Sequence, residues 1–252
     1  MGKIIFLLGR PGSGKSSAGR LIEDAALHKG FSVSRVNDYD ILYKMYQADT
    51  DCQQFSSIER HPGFHVKDPI VLNIASQIII KEIIETITSY DIIIVELARE
   101  DYSYTLQNLG PQLLPLAYFL YFETDIQKCY QRIHDRAKNP KYKDDHFVCS
   151  KTLKTYYRKQ NFSAELAKKY GAKGVQIKMF VNNGSYKDFE LNVRIFFKFF
   201  YRRETIFAAI SEIKKYARQG SKKLRKLISA SSVSHESAVT SGDIGIKEAT
   251  NL

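Results

Sequence analysis

The 252-residue chain contains no tryptophan, three methionines, three cysteines and six prolines. Cys52, Cys129 and Cys149 are odd in number and far apart. That excludes a disulfide-stapled scaffold and fits no metal-ligand spacing, so reduced thiols in a cytoplasmic protein are the expectation. Long apolar runs are also missing: none approaches the ~18 residues that a membrane span needs. The first apolar run is short and leads straight into glycines, unlike a secretory signal. Phe6 stands where a myristoylation signal wants Ser or Thr. Acids are in the minority, 27 against 38 Lys and Arg, for a formal charge of +11. Such a charge suits handling of polyphosphates and permits contact with nucleic acid or an acidic membrane surface, without choosing between them. With 44% hydrophobic residues, the length allows one domain with a substantial core, with or without an appendage.

What is present begins at Lys3–Leu8, a run of Ile, Phe and Leu that reads as a buried strand. From Lys15 onward Ala18, Leu21, Ile22, Ala25 and Ala26 recur at helical spacing. Between them, Gly9-Arg10-Pro11-Gly12-Ser13-Gly14-Lys15-Ser16, followed by Ser17, fits G-x-x-x-x-G-K-[ST] at every fixed position. Glycines let successive N–H groups turn inward around a phosphate, and the helix N-terminus adds partial positive charge. Lys15 is expected to reach the β- and γ-phosphates of ATP, and the Ser16 hydroxyl to ligate Mg²⁺.

Further strand-like runs occur at Phe31–Val36, Ile92–Val95, Ala117–Phe122 and Val175–Val181. Helical patterns fall at Pro69–Ser89, Asp125–Ala137, Ser150–Tyr170 and Tyr186–Arg203. This alternation implies a five-stranded parallel sheet covered on both faces, with ligands beyond the carboxyl ends of its strands. From about residue 204 the character changes. A basic helical extension is expected over 204–228, and a serine-rich disordered tail over 229–252.

Candidate residues therefore follow the strands. After the second come Asn37, Asp38, Tyr39 and Asp40. Asp38 is placed to take or orient an acceptor proton and Asp40 to bind the acceptor, while helix capping is the competing use of this segment. The irregular stretch from Gln47 to Lys67 offers Arg60 as a phosphate-binding side chain or a solvated one. After the third strand, Glu96 can orient the Mg²⁺ shell or a reacting water, and Arg99 can bind phosphate or simply pair with Glu96. Arg132 and Arg136 lie four residues apart on one helix face, before a polar lid segment at about 137–149. Closure of that lid would bring both guanidinium groups onto the transferring phosphoryl. Asp144 and Asp145 are expected to cap the next helix or latch the lid.

Taken together, "GRPGSGKS", "RIHDR", "DDHFV" and "VNNGSYKDFELNVRIF" give a chain that resembles, over about residues 1–203, the adenylate kinase-like P-loop nucleoside and nucleoside-monophosphate kinases. Glu96-Leu97-Ala98-Arg99 departs from the usual adenylate kinase step and is nearer to deoxynucleoside kinases. The resemblance implies a three-layer α/β P-loop NTPase fold with a lid and a C-terminal extension. It also implies transfer of the ATP γ-phosphoryl to a small acceptor, a nucleoside or nucleoside monophosphate. Two other readings stay open: a polynucleotide 5′-hydroxyl kinase, and an ATPase whose nucleotide gates partner binding. No Asn-Lys-x-Asp step for reading guanine is present.

Overall fold

The computed structural model describes residues 2–58, 63–142, 145–158, 164–206 and 214. Strands β1 (Lys3–Gly9), β2 (Val33–Asn37), β5 (Ile92–Leu97), β6 (Ala117–Glu123) and β7 (Gln176–Val181) form one parallel sheet in the order β2-β5-β1-β6-β7. A separate antiparallel hairpin joins β3 (Phe55–Ser57) to β4 (Phe64–Val66). The helices are α1 (Lys15–Leu27), α2 (Asp38–Ala48), α3 (Ile70–Thr86), α4 (Ser103–Gln107), α5 (Gly110–Leu113), α6 (Ile126–Lys138), α7 (Ser150–Thr155) and α8 (Ala164–Gly171). This is the three-layer P-loop NTPase fold.

The chain divides into two compact units, Met1–Phe197 and Lys198–Leu252. The first carries the sheet and closes with α9, residues 186–197. In the second, residues 198–206 and 214 are helical. The expected extension beyond them and the serine-rich tail lie outside the described residues.

β1 occupies the centre because Ile4 to Leu8 are apolar on both faces, and all five are fully buried. Ile4, Phe6 and Leu8 pack into the core with Ile79, Ile83, Leu106 and Tyr170. Leu7 points the other way, toward α1. On α3, Val71, Ala75, Ile79 and Ile83 repeat every four residues and are fully buried. Pro69 at its N-cap offers no side-chain bond, and the Asp68 carboxylate accepts the Ile70 N–H at 3.0 Å; packing holds the rest of the helix, each buried Val or Ile contributing roughly 1.5–3 kcal/mol. Register sets Asn37 and Leu7 on either side of Glu96, and Gly9 opposite Phe122. The strand ends are thus level, and everything that follows them converges on one edge.

Three sequence expectations need correction. Ser150–Tyr170 is not one helix: α7 ends at Thr155 and α8 begins at Ala164. The stretch with no readable period contains the β3–β4 hairpin, whose three-residue strands are too short to show alternation. Asp145 does not cap α7, where the Cys149 sulfur accepts the Thr152 N–H. Its carboxylate instead closes a turn by accepting N–H bonds from Lys141 and Tyr142. Asp144 lies outside the described residues. All three cysteines are free thiols, with Cys129 buried. Among the described residues, no helix is long and apolar enough to cross a membrane.

Candidate active site

The loop between β1 and α1 is pinned from three directions. Gly14 caps α1 in a left-handed conformation, φ 106°. A Cβ there would sit 2.5 Å from Asn182 Nδ2, so only glycine fits. The Ser13 carbonyl accepts from Asn182 Nδ2 at 2.8 Å and from Thr124 Oγ1 at 3.2 Å, which ties the loop to the ends of β7 and β6. At its start, the Gly9 N–H donates to the fully buried Tyr102 hydroxyl at 2.7 Å. Tyr102→Phe removes that acceptor, and urea unfolding is expected to show a loss of roughly 1–3 kcal/mol, the penalty for a buried donor left unsatisfied.

Lys15 and Ser16 emerge from the first turn of α1. Lys15 Nζ donates to the Gly9 and Arg10 carbonyls at 2.8 and 2.9 Å. Burial lowers its pKa to about 8, against the pull of the Asp38 and Glu96 carboxylates. Ser16 Oγ donates to Glu96 Oε2 at 2.7 Å, and Arg35 Nη2 donates to Glu96 Oε1 at 2.5 Å. Arg35 also meets Glu23 at 3.2 Å. Glycine in mid-helix usually weakens a helix by ~1 kcal/mol relative to alanine. At Gly19, however, a Cβ would come within 3.1 Å of Glu96 Oε1 and 3.4 Å of Arg35 Nη2. The absence of a Cβ makes room for the Glu96–Arg35 pair, whose carboxylate is buried. A hydroxyl beside a carboxylate is a hard oxygen donor set that fits Mg²⁺, an ion bound through few protein ligands plus substrate phosphates. The described residues hold no cluster of three or more His, Cys, Asp and Glu suited to a metal.

The second acid has its own arginine. Asp38 Oδ2 accepts from Arg99 Nη1 at 2.6 Å and from the Ala98 N–H at 2.9 Å. Arg99 also donates to the carbonyls of Ala98 (3.0 Å) and Leu72 (3.3 Å). Arg99 therefore pairs with Asp38, not with Glu96. The cause is local: Glu96 is still in β5 and faces α1, whereas Arg99 lies past the strand end, beside the start of α2. Asn37 performs the capping, accepting the Tyr39 N–H at 3.0 Å, which leaves Asp38 for the site. Asp40 is exposed and does not line the cavity. Arg60 lies outside the described residues.

A cavity of about 640 Å³ runs between these groups. Pro11, Gly12, Gly14, Lys15, Ser16 and Ser17 line it, together with Asp38, Glu96, Arg99, Arg132 and Arg136. Gly9 and Ser13 support the loop from behind. Arg10 contributes only its backbone, because its guanidinium turns away to the carbonyls of Tyr157 (2.9 Å) and Thr124 (3.2 Å). Arg132 donates to the carbonyls of Gly12 (3.4 Å) and Asn182 (3.2 Å). Arg136 donates to the His146 carbonyl at 3.2 Å. His146 in turn stacks on Tyr39, ring centroids 3.8 Å apart and nearly parallel, so the segment after α6 reaches across to α2.

Sequence reasoning missed Arg35, Tyr102, Thr124 and Asn182 as site residues. Thr124 and Asn182 share one signal: each is the residue that directly follows its strand, β6 or β7. Tyr102 and Arg35 carry none that a single sequence exposes.

The sequence matches no protein-family profile and no curated protein. Among solved structures, it is similar at 16% identity to the APS kinase CysC of Mycobacterium tuberculosis, over 76% of this chain and 95% of that one, with a TM-score of 0.49. A gluconokinase from Sinorhizobium meliloti 1021 is 15% identical over 80% of this chain and 97% of its own, with a TM-score of 0.46. A shikimate kinase from Acinetobacter baumannii is 10% identical over 77% and 91%, with a TM-score of 0.41. These solved structures are kinases by name, and the likeness is one of fold.

Proposed function

We propose that this protein is an ATP- and Mg²⁺-dependent phosphotransferase that moves the γ-phosphoryl group to a small acceptor, a nucleoside or nucleoside monophosphate. The observation that carries this reading is the single cavity joining two kinds of site. Lys15 and Ser16 lie on a phosphate-binding loop, and Asp38 stands beyond them on a wall of rings and aliphatic side chains. Hydrolysis alone needs no such second compartment. The cavity as a whole, about 640 Å³, is within the ~300–1,000 Å³ of ordinary small-ligand sites.

In this reading the backbone of Gly12 and Gly14, with Lys15, holds the β- and γ-phosphates. Ser16, with Glu96 beside it, would hold Mg²⁺, which when bound neutralises charge on the β- and γ-phosphate oxygens. An acceptor hydroxyl oxygen bonds to the γ-phosphorus, and the bond from that phosphorus to the β,γ-bridging oxygen breaks. The electron pair of the broken bond stays on ADP, and the hydroxyl proton passes to Asp38, whose Oδ1 is outside the Arg99 and Ala98 bonds. Arg132 and Arg136 supply positive charge from the opposite side.

The test is incubation with γ-labelled ATP and Mg²⁺ against separate pools of nucleosides, nucleoside monophosphates and 5′-hydroxyl oligonucleotides, with Lys15→Ala as control. Label in one of the small-molecule pools, lost in the control, is the expected result. Label on the oligonucleotides would make this a polynucleotide kinase, for which the charge of +11 predicts activity that falls steeply with salt. Label found only as free phosphate would favour the nucleotide-gated ATPase.

A further inference from the structure

The positive charge of the chain is not spread evenly. Residues 198–228 hold ten Lys and Arg against Glu204 and Glu212, a net +8 of the chain's +11. Residues 198–206 belong to the second compact unit and are helical. Phe199 and Ile206 are 66% and 59% exposed there, whereas Phe200 is buried. Seven residues make almost two helical turns, so Phe199 and Ile206 stand on one face. Lys198 and Arg202 on the same helix are exposed too, as is Lys214.

Beyond Ile206 the sequence keeps this spacing. Ile210, Ile213, Ala217, Leu224 and Ile228 follow at steps of four, three, four, seven and four residues. The seven-residue steps from Phe199 and from Ala217 pass over Arg203 and Gly220, the two breaks in the line. At helical spacing Lys214, Lys215, Arg218, Lys222, Arg225 and Lys226 fall beside the line or opposite it. An apolar line edged by charge of one sign is the pattern of a helix that lies in the plane of a membrane surface.

Charge decides which occupant this face suits. A second copy would bring another +8 against the first, and that repulsion opposes pairing along the line. A nucleic acid would satisfy the basic residues through its phosphates but leave Phe199 and Ile206 in water. An anionic bilayer meets both needs: its headgroups attract Lys and Arg, and its acyl boundary takes up the apolar side chains. We infer that residues 198–228 dock the protein on an anionic lipid surface, with Phe199 and Ile206 entering the acyl boundary. This surface does not depend on which reaction the cavity performs.

Co-sedimentation of the full chain with vesicles tests this, using phosphatidylcholine alone and phosphatidylcholine mixed with phosphatidylserine. Binding is expected to the mixed vesicles only, and it should weaken as salt shortens the reach of the charges. Lys222→Gln/Lys223→Gln should weaken it by about 25-fold, roughly 5-fold for each basic residue held near the surface. Phe199→Ser/Ile206→Ser should weaken it by at least about 10-fold, with an unchanged melting temperature because both side chains are exposed. Phe199→Leu/Ile206→Leu keeps the face apolar and should keep the binding, which guards against a folding defect. Equal binding to both kinds of vesicle, or binding to neither, overturns the inference. Loss of binding in the leucine variant does so as well. A serine variant that binds the mixed vesicles as well as the unaltered chain also overturns it, since charge alone is then at work; retention of a duplex oligonucleotide by that variant would identify a nucleic-acid surface. A dimer in sedimentation equilibrium that the serine variant dissociates would overturn it in favour of a second copy.

Discussion

Lys15→Met is expected to reduce phosphoryl transfer by at least about 10²–10³-fold, the usual consequence of removing one preorganised donor from a developing charge. The same substitution should make the nucleotide-free protein more stable. Lys15 is buried, and its pKa is lowered from 10.5 to about 8 by loss of water. A folded-state pKa below the unfolded value means that between pH 8 and 10.5 the unfolded chain holds a proton that the folded chain has released. Folding stability therefore rises with pH across that window, and the penalty is greatest below pH 8. A shift of this size corresponds to roughly 3 kcal/mol at neutral pH. Part of it is offset in the variant, because the Gly9 and Arg10 carbonyls lose a donor. Thermal unfolding of Lys15→Met at pH 7 should thus shift upward by a few degrees, and the pH slope above 8 should flatten. Bound phosphates favour the charged lysine. Nucleotide binding near pH 9 should accordingly take up protons, seen as a binding enthalpy that depends on the buffer's ionisation heat. An unchanged melting temperature, together with buffer-independent binding heat, would show that Lys15 is fully charged at pH 9.

Arg99→Met is the second large effect, and it acts on stability first. It leaves Asp38 buried without its guanidinium partner, 6% exposed and holding only the Ala98 N–H. Breaking a buried pair from one side costs about 3–5 kcal/mol, whereas replacing both members with apolar groups is often close to neutral. Urea midpoints should therefore fall sharply in Arg99→Met and recover in large part in Arg99→Met/Asp38→Leu. Transfer should be lost in the double variant despite that recovery, because the carboxylate is gone. If the double variant is no more stable than the single one, the pair is fixing the backbone at Ala98 and Leu72 and not merely balancing charge.

How much of this site could be read from the sequence follows from where each residue sits. Lys15 and Ser16 were legible because they complete a G-x-x-x-x-G-K-[ST] loop after an apolar strand, and Asp38 and Glu96 because they stand at strand ends on the same edge of the sheet. Arg35 did not stand out, because it lies inside β2, where a charged side chain needs a buried partner that only the sheet register reveals. Tyr102 reaches the phosphate loop from 93 residues away, and no local pattern encodes that contact. The pairing of Arg99 with Asp38 was equally hidden: spacing favoured Glu96, three residues before it, over an acid in another element. The acceptor side was the least legible region. Its hairpin strands are three residues long, and its chemistry lies in rings drawn together from α2, β4 and the segment after α6.

The bonds at the Ser13 carbonyl also bear on how the molecule is made. Its partners Thr124 and Asn182 lie 111 and 169 residues further along the chain, and β1 pairs only with β5 and β6. During synthesis, the first strand emerges long before any neighbour it can pair with. The phosphate loop is therefore translated well before the residues that hold it in place. A nascent chain that ends before Asn182 should not retain nucleotide, and one released beyond it should.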